Sequence, residues 1–154
     1  MNWRPPAAFF TAANGIVRWV LRSPLHRVLS GRLMVIAYEG ARTGRPYAIP
    51  VAYYRWSPGE VWAFAARTGW ASNFRSPRTV RLTLAGRAVA AEAELVEDRE
   101  RVADLLRDLI RGSGPKVIQD PFLGLPKDRE PTREETLAAA DKARITRFRL
   151  SSAR

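Results

Sequence analysis

The 154-residue sequence has no cysteine, one histidine and only three lysines among its 26 basic residues. Without cysteine, the chain cannot form a disulfide scaffold, a thiolate metal site or a cysteine nucleophile. The single histidine, His26, excludes a metal site built on a histidine pair and leaves one candidate base for a serine nucleophile. From these absences we expect no metal site. Because no partner for His26 is evident in the sequence, we name no catalytic residue.

Long hydrophobic runs are also missing. No apolar run approaches the roughly 20 residues that a transmembrane helix needs. Pro5, Pro6 and Arg18 interrupt the stretch where the apolar part of a signal peptide would lie. We therefore expect a cytoplasmic protein, in which aromatic residues of the first predicted helix, such as Phe9 and Trp19, are the candidate contact with a membrane surface.

The sequence does contain enough apolar material for one folded domain over residues 1–154, with 46% hydrophobic and 10% aromatic residues. Its charge is uneven. By count, residues 1–91 carry 13 basic and two acidic side chains, whereas residues 92–154 carry 13 of each sign. Because arginine binds phosphate and carboxylate groups through paired hydrogen bonds, the first half predicts an anionic partner. Nucleic acid, anionic lipid and a phosphorylated cofactor remain open, as does a general composition bias toward arginine.

Hydrophobic periodicity predicts a chain of alternating helices and strands. Asp98 and the capping box of Thr132 and Glu135 mark two helix starts. The tight turns at 57–60 and 85–86 exclude a parallel sheet, and closure into a barrel removes exposed edges. We predict an α+β, mainly β fold: a six-stranded antiparallel barrel, closed or split, with flanking helices. The predicted helices cover residues 6–22, 25–29, 69–76, 98–111 and 132–142, and the predicted strands cover 33–38, 47–56, 61–66, 78–84, 87–96 and 145–150.

The loop at residues 40–46 has the character of an anion site. Its glycines allow the backbone to turn N–H groups toward an anion, and Arg42, Thr43 and Arg45 add charge and a hydroxyl group. An ordinary hairpin turn is the alternative interpretation.

A second loop, residues 67–73, follows a predicted strand. Arg67 and Gly69 lead into a predicted helix N-terminus, where free N–H groups attract anions. The alternative is a plain strand–helix connection with Trp70 in the core.

Together, the two loops resemble a known family. Residues 38–51 (YEGARTGRPYAIPV) resemble the pattern T-T-G-R-K/R-S/T-G-x-P-R-x-x-P-L, and residues 70–82 (WASNFRSPRTVRL) resemble W-x-x-N-L-x-A-N-P-x-V-x-V. A hairpin at residues 85–87 follows, as in the family. These patterns are those of the deazaflavin-dependent nitroreductases, relatives of the flavin-binding split barrels typified by pyridoxamine phosphate oxidase. The likeness covers about residues 16–110.

The resemblance implies a split β-barrel, often a homodimer, that binds reduced deazaflavin coenzyme F-420. It implies hydride transfer to a small or lipophilic acceptor such as a quinone, enone or nitro compound. The residues implied to hold the phosphorylated tail and the ring are Ala41, Arg42, Thr43, Tyr47, Ala48, Ile49, Pro50, Val51 and Ala52. Those implied to line the rest of the groove are Phe64, Ala65, Ala66, Arg67, Gly69, Trp70, Ala71, Ser72 and Asn73.

Several alternatives share this fold or this charge. The same barrel can hold FMN or a haem-type cofactor, and a carrier of cofactor or lipid would bind without turnover. A nucleic-acid-binding module would present aromatic side chains for base stacking. Most aromatic residues here lie at core-like strand positions, so we expect no nucleic-acid partner. The proline-containing loop at 116–131 is predicted to be an ordered loop or a lid over the acceptor.

Overall fold

The computed structural model describes residues 33–66, 69–118 and 120–151. These residues form one antiparallel seven-stranded sheet, two α-helices and two 3-10 turns. The strands are β1 (Leu33–Glu39), β2 (Pro46–Ala52), β3 (Tyr54–Ser57), β4 (Glu60–Ala66), β5 (Arg78–Leu84), β6 (Arg87–Val96) and β7 (Ala143–Leu150). The helices are α1 (Arg99–Ser113) and α2 (Arg133–Lys142), and the 3-10 turns are η1 (Trp70–Phe74) and η2 (Pro121–Leu123).

The order of the strands requires the sheet to curl. The order is β2-β1-β5-β6-β7-β4-β3, so β2 and β3 form its two edges, yet only Tyr53 separates them in the chain. Consecutive Cα atoms are about 3.8 Å apart, so Ala52 and Tyr54 lie within about 7.6 Å of each other. The two edges therefore meet at Tyr53, and the sheet forms a half-barrel.

The predicted α+β, mainly β, antiparallel fold is confirmed, but the count of six strands is wrong. The segment predicted as one strand over 47–56 is two strands, β2 and β3, with a break at Tyr53. The break has a nonlocal cause, because β2 pairs with β1 whereas β3 pairs with β4 at the other edge. The hairpin turn at 85–86 is confirmed, since Ala85 and Gly86 both have the positive φ that such a turn requires.

One face of the sheet, together with η1, forms an inner core. Its residues alternate along each strand, as side chains on one face of a strand must. Full burial of a leucine, isoleucine or phenylalanine side chain contributes about 1.5–3 kcal/mol, so this cluster is a main source of stability. The buried members are Met34, Ile36, Tyr38, Val61, Ala63, Phe74, Val80, Leu82, Leu84, Ala91, Ala93 and Phe148.

Both α-helices begin where the sequence predicts. The Asp98 side chain accepts a hydrogen bond from Arg101 N–H at 2.8 Å at the start of α1. Thr132 Oγ1 accepts one from Glu135 N–H at 3.2 Å at the start of α2. Such caps satisfy N–H groups that a helix leaves unpaired, and each contributes about 1 kcal/mol.

The helices cover the other face of β4 and β7 and form an outer core with the loop between them. Asp120 caps η2 in that loop, and Ile118 and Leu123 are buried against the helices. The described residues of this loop, 116–118 and 120–131, are therefore packed as predicted for an ordered loop. The alternative of a lid over the acceptor stays a prediction. The outer core contains Trp62, Val96, Val102, Ala103, Leu106, Leu109, Ile110, Ile118, Leu123, Ala139, Ala140, Ala143 and Ile145.

Several predictions lie outside the described residues. These are the helices at 6–22 and 25–29, His26, Arg67 and the membrane contact through the first helix. They stay predictions, as do the cytoplasmic location and the homodimer. In the part of the chain that the structure describes, no helix combines the length and apolar character needed to cross a bilayer.

A partly buried ion pair joins β4 to β7. Arg147 Nε lies 2.6 Å from Glu60 Oε1, which also accepts a hydrogen bond from Trp62 Nε1 at 2.7 Å. Burial raises the pKa of Glu60, but the hydrogen bonds from Arg147 and Trp62 and the nearby positive charges outweigh it. The pKa of Glu60 therefore lies below its ordinary value of 4.5, and its ionised form stabilises the fold.

We expect Glu60→Gln to be less stable than the wild type near neutral pH, and the difference to shrink in acid. A carboxyl group with a depressed folded-state pKa adds stability above its unfolded-state pKa and loses it as the pH falls through the folded value. Urea unfolding of both proteins near pH 7 and at about pH 3 measures this effect. A difference that stays constant over this range would show that the ionised pair does not stabilise the fold.

Candidate functional site

The two loops that resemble the family patterns lie at one end of the half-barrel. β1 ends at Glu39, β4 ends at Ala66 and β5 begins at Arg78. The antiparallel pairings of β1 with β5, β5 with β6, β6 with β7 and β7 with β4 direct these three strand ends toward the same end of the sheet. Consequently, the loops that follow β1 and β4 meet.

The loop between β1 and β2 is a tight turn with two internal backbone hydrogen bonds and a third from Arg45 N–H to Thr43 Oγ1. Gly40 N–H donates to the Arg45 carbonyl and Gly44 N–H donates to the Gly40 carbonyl, both at 2.8 Å. A Cβ atom on Gly40 would lie 2.9 Å from Thr43 Oγ1 and 3.0 Å from Tyr47 Cε2. Glycine at this position therefore allows the turn to pack against the start of β2.

This turn keeps donors and charges available. Within the described residues, the backbone N–H groups of Arg42 and Thr43 have no hydrogen-bond acceptor. Arg42 and Arg45 are exposed and form no ion pair there either. Successive free N–H groups beside unpaired guanidinium groups are suited to binding an anion such as a phosphate.

The positions of the acidic residues explain why these arginines are unpaired. Among the residues that the structure describes, every carboxylate in an ion pair lies within residues 92–141, apart from Glu60. Those carboxylates pair with arginines of the second half and, in one case, with Arg75, which directly follows η1. The positive charge beside β1 is therefore left for a ligand.

The second loop leads into η1, which is shorter than the helix predicted over 69–76. A five-residue 3-10 turn follows Gly69, whose φ is 116°. The Gly69 carbonyl accepts hydrogen bonds from Ser72 N–H at 3.1 Å and from Ser72 Oγ at 2.7 Å. The predicted start is confirmed, but the predicted helix over 69–76 is wrong in length and type. The N–H group of Ser72 is used inside the turn.

Asn73 connects the two loops. Its Oδ1 accepts a hydrogen bond from Ala41 N–H at 2.9 Å, across 32 residues of sequence. Its Nδ2 donates to the Trp70 carbonyl at 2.8 Å. One amide side chain therefore fixes the first loop to the turn that carries Trp70.

A cleft of about 320 Å³ lies between the loops. Its volume falls in the range of small-molecule pockets, about 300–1,000 Å³. The structure thus brings residues from both predicted motifs into one site. The lining residues are Tyr38, Gly40, Arg42, Thr43, Tyr47, Gly69, Trp70 and Asn73.

Tyr38 was not among the predicted site residues, although its side chain lines this cleft. It pairs with Tyr47 across the β1–β2 ladder, and the two rings stack with their centroids 5.5 Å apart. Burial, and then the nearby Tyr47, raise the pKa of Tyr38 above its ordinary value of 10.0, so its hydroxyl group stays protonated near neutral pH. The sequence does contain a signal for Tyr38. It ends a predicted strand just before the turn that contains Gly40, and Tyr47 begins the strand after that turn.

The remaining predicted site residues that the structure describes do not line the cleft. Residues 48–52 run along β2, where Ile49 and Val51 pack against the inner core. Phe64 packs on Tyr54 in the outer core, with ring centroids 4.7 Å apart. The other members lie in or beside strand and turn backbone, and they are Ala41, Ala65, Ala66, Ala71 and Ser72.

Comparison with known proteins shows no matching family model and no matching curated protein. Solved structures do match. A candidate pyridoxamine 5'-phosphate oxidase from Lactobacillus delbrueckii is 17% identical, with 81% of this chain and 85% of that chain covered and a TM-score of 0.48. A general stress FMN/FAD-binding protein from Xanthomonas citri is 14% identical, with coverages of 82% and 80% and a TM-score of 0.44.

A third structure is a candidate 5-nitroimidazole antibiotic resistance protein from Bacteroides thetaiotaomicron. It is 10% identical, with 99% of this chain and 83% of that chain covered and a TM-score of 0.49. All three TM-scores are below 0.5. The fold of this chain therefore rests on its own strand pairings.

We expect Asn73→Ala to free the first loop from η1. The substitution removes the acceptor of Ala41 N–H, and a hydrogen bond of about 0.5–1.5 kcal/mol corresponds to amide exchange roughly 2- to 13-fold faster. Amide hydrogen exchange at Ala41 measures this change. Ser72→Ala is the matched control, because it removes a hydrogen bond of the same turn but not the contact with Ala41. Unchanged exchange at Ala41 in Asn73→Ala would show that the contact does not hold the loop.

Proposed function

We propose that the cleft binds the phosphate-bearing part of a flavin-type cofactor, FMN or deazaflavin coenzyme F-420, and that the protein is an oxidoreductase. The observation that carries the proposal is the combination in one cleft of an anion site and an aromatic wall. Arg42 and Thr43 provide the first, and Tyr38, Tyr47 and Trp70 provide the second. The likeness of both loops to the deazaflavin-dependent nitroreductase patterns supports the same ligand class.

The phosphate group fits the first loop. Arg42 can donate two parallel hydrogen bonds to phosphate oxygens, and the free N–H groups of Arg42 and Thr43 can donate more. Nothing among the described residues competes for these donors. Because the loop is exposed, we expect salt to weaken its attraction for an anion.

The tricyclic ring of such a cofactor fits the aromatic side of the cleft. Tyr47 is 41% exposed and Trp70 is partly buried, so both offer ring surface to a ligand. Aromatic rings in offset or edge contact attract each other beyond the effect of buried area. When bound, the cofactor supplies the hydride or electron pair, while the protein orients it and excludes water.

FMN and F-420 share a phosphate group and a tricyclic ring, so the described residues fit both. The sequence patterns favour F-420 and therefore hydride transfer to a quinone, enone or nitro compound. FMN is the alternative within the same function. A carrier that binds either cofactor without turnover is an outcome that the experiment below separates from an enzyme.

We expect the wild type to bind FMN or F-420 and Arg42→Ala to bind it roughly 10- to 150-fold more weakly, since a hydrogen bond to a charged group is worth about 1.5–3 kcal/mol. Fluorescence titration with F-420, FMN and FAD measures the affinities and ranks the cofactors. Arg87→Ala is the matched control. Arg87 is also exposed, but it starts β6 at the opposite end of the β1–β5 ladder.

Equal affinities of Arg42→Ala and the wild type would contradict the anion site. The absence of binding to all three cofactors would contradict the proposed function as a whole. Faster reduction of menadione or a nitroimidazole by the protein loaded with the reduced cofactor than by the free reduced cofactor, which is oxidised in the step, would identify an enzyme. Binding without such reduction would indicate a carrier.

A further inference from the structure

We infer that the hydroxyl group of Tyr38 donates a hydrogen bond to a ring carbonyl of the ligand in this cleft, and thereby orients the ring. This inference rests on the proposed function. The ligand feature is the pair of carbonyl groups on the pyrimidine part of the ring, which flavins and deazaflavins share. Nothing in the sequence motifs assigns this role to Tyr38.

The ring of Tyr38 is held firmly in place. It is only 4% exposed. It stacks on Tyr47 with centroids 5.5 Å apart and meets Phe74 edge-on with centroids 5.2 Å apart. A side chain fixed between two rings loses little further freedom when a ligand binds, which favours affinity.

The hydroxyl group of Tyr38 has no hydrogen-bond partner among the residues that the structure describes. None of the hydrogen bonds among the described residues involves it, although its ring is buried and lines the cleft. In the same part of the chain, the fully enclosed polar side-chain atoms without a partner are Arg107 Nε and Thr146 Oγ1. The Tyr38 hydroxyl group is not one of them, so it is not fully enclosed, and the open space that Tyr38 lines is the cleft. Buried tyrosine hydroxyl groups usually have a partner, and here a ligand in the cleft is the available one.

The surroundings favour a neutral carbonyl over a phosphate group as that partner. The rings in contact with Tyr38 are Tyr47 from β2 and Phe74 from η1. Trp70 packs on Phe74 and lines the same cleft. Of the nearby cations, Arg42 lines the cleft from the exposed turn, and Arg78 Nη1 donates to the Glu39 carbonyl at 2.7 Å. A neutral donor among aromatic rings matches a neutral acceptor, while the phosphate group has better donors in the turn.

The test compares the binding affinities of Tyr38→Phe and the wild type for two ligands, FMN and its phosphate-free form riboflavin. If the wild type prefers F-420, the two ligands are instead F-420 and its phosphate-free deazariboflavin core. We expect Tyr38→Phe to lower the affinity for both ligands by the same factor, roughly 5- to 150-fold, because a buried carbonyl group of the ligand loses its hydrogen-bond donor. We expect Arg42→Ala to lower the affinity for the phosphorylated ligand only. Since the removed hydroxyl group has no partner among the described residues, the melting temperature of Tyr38→Phe should equal or exceed that of the wild type.

Tyr54→Phe is the matched control, because Tyr54 packs on Phe64 in the outer core and should leave both affinities unchanged. Unchanged affinity of Tyr38→Phe for both ligands would overturn the inference while leaving the proposed function in place. Loss of affinity for FMN alone would assign Tyr38 to the phosphate group and also overturn it. A large fall in melting temperature would mean that the hydroxyl group has a structural partner. If the wild type binds neither ligand pair, the proposed function fails and this inference with it.

Discussion

Tyr53 is the residue through which the two edges of the sheet are joined. Strand β2 forms one edge of the sheet and β3 forms the other. Because only one residue connects them, the two edges must lie close together, and the sheet must curl. Curling separates the side chains into an inner core of strand residues and an outer core under α1 and α2. It also sets the strand ends after β1 and β4 at one end of the half-barrel. The cleft is thus a consequence of how the sheet closes.

The division of charge in the chain follows this architecture. Acidic residues of the second half neutralise arginines around the helices and on β7, and the partly buried pair of Glu60 and Arg147 holds β4 to that strand. The turn with Arg42 and Arg45 lies beyond their reach. Most exposed ion pairs contribute little to stability, so these pairs are better understood as balancing charge. The unpaired cations remain where a ligand can bind.

Local signals and the family resemblance together predicted much of the fold and six of the eight residues that line the cleft. Helix caps at Asp98 and Thr132 and the turn at Ala85 depend on short-range hydrogen bonds and backbone angles, so residue types identify them. The break at Tyr53 could not be found in this way, because barrel closure causes it and no turn residue marks it. Tyr38 was missed for a related reason, since its place in the cleft depends on the register of β1 against β2. The outward direction of Phe64 likewise depends on packing against the helices.

The most direct test of the account is a map of amide chemical shifts during titration with FMN or F-420. If both loops form one cofactor site, the amides of Arg42, Thr43, Gly69 and Trp70 will shift together along a single binding curve. Ala41 will follow them, because its N–H group is bound to Asn73. The account is contradicted if these amides stay in place while the shifts cluster on α1 and α2.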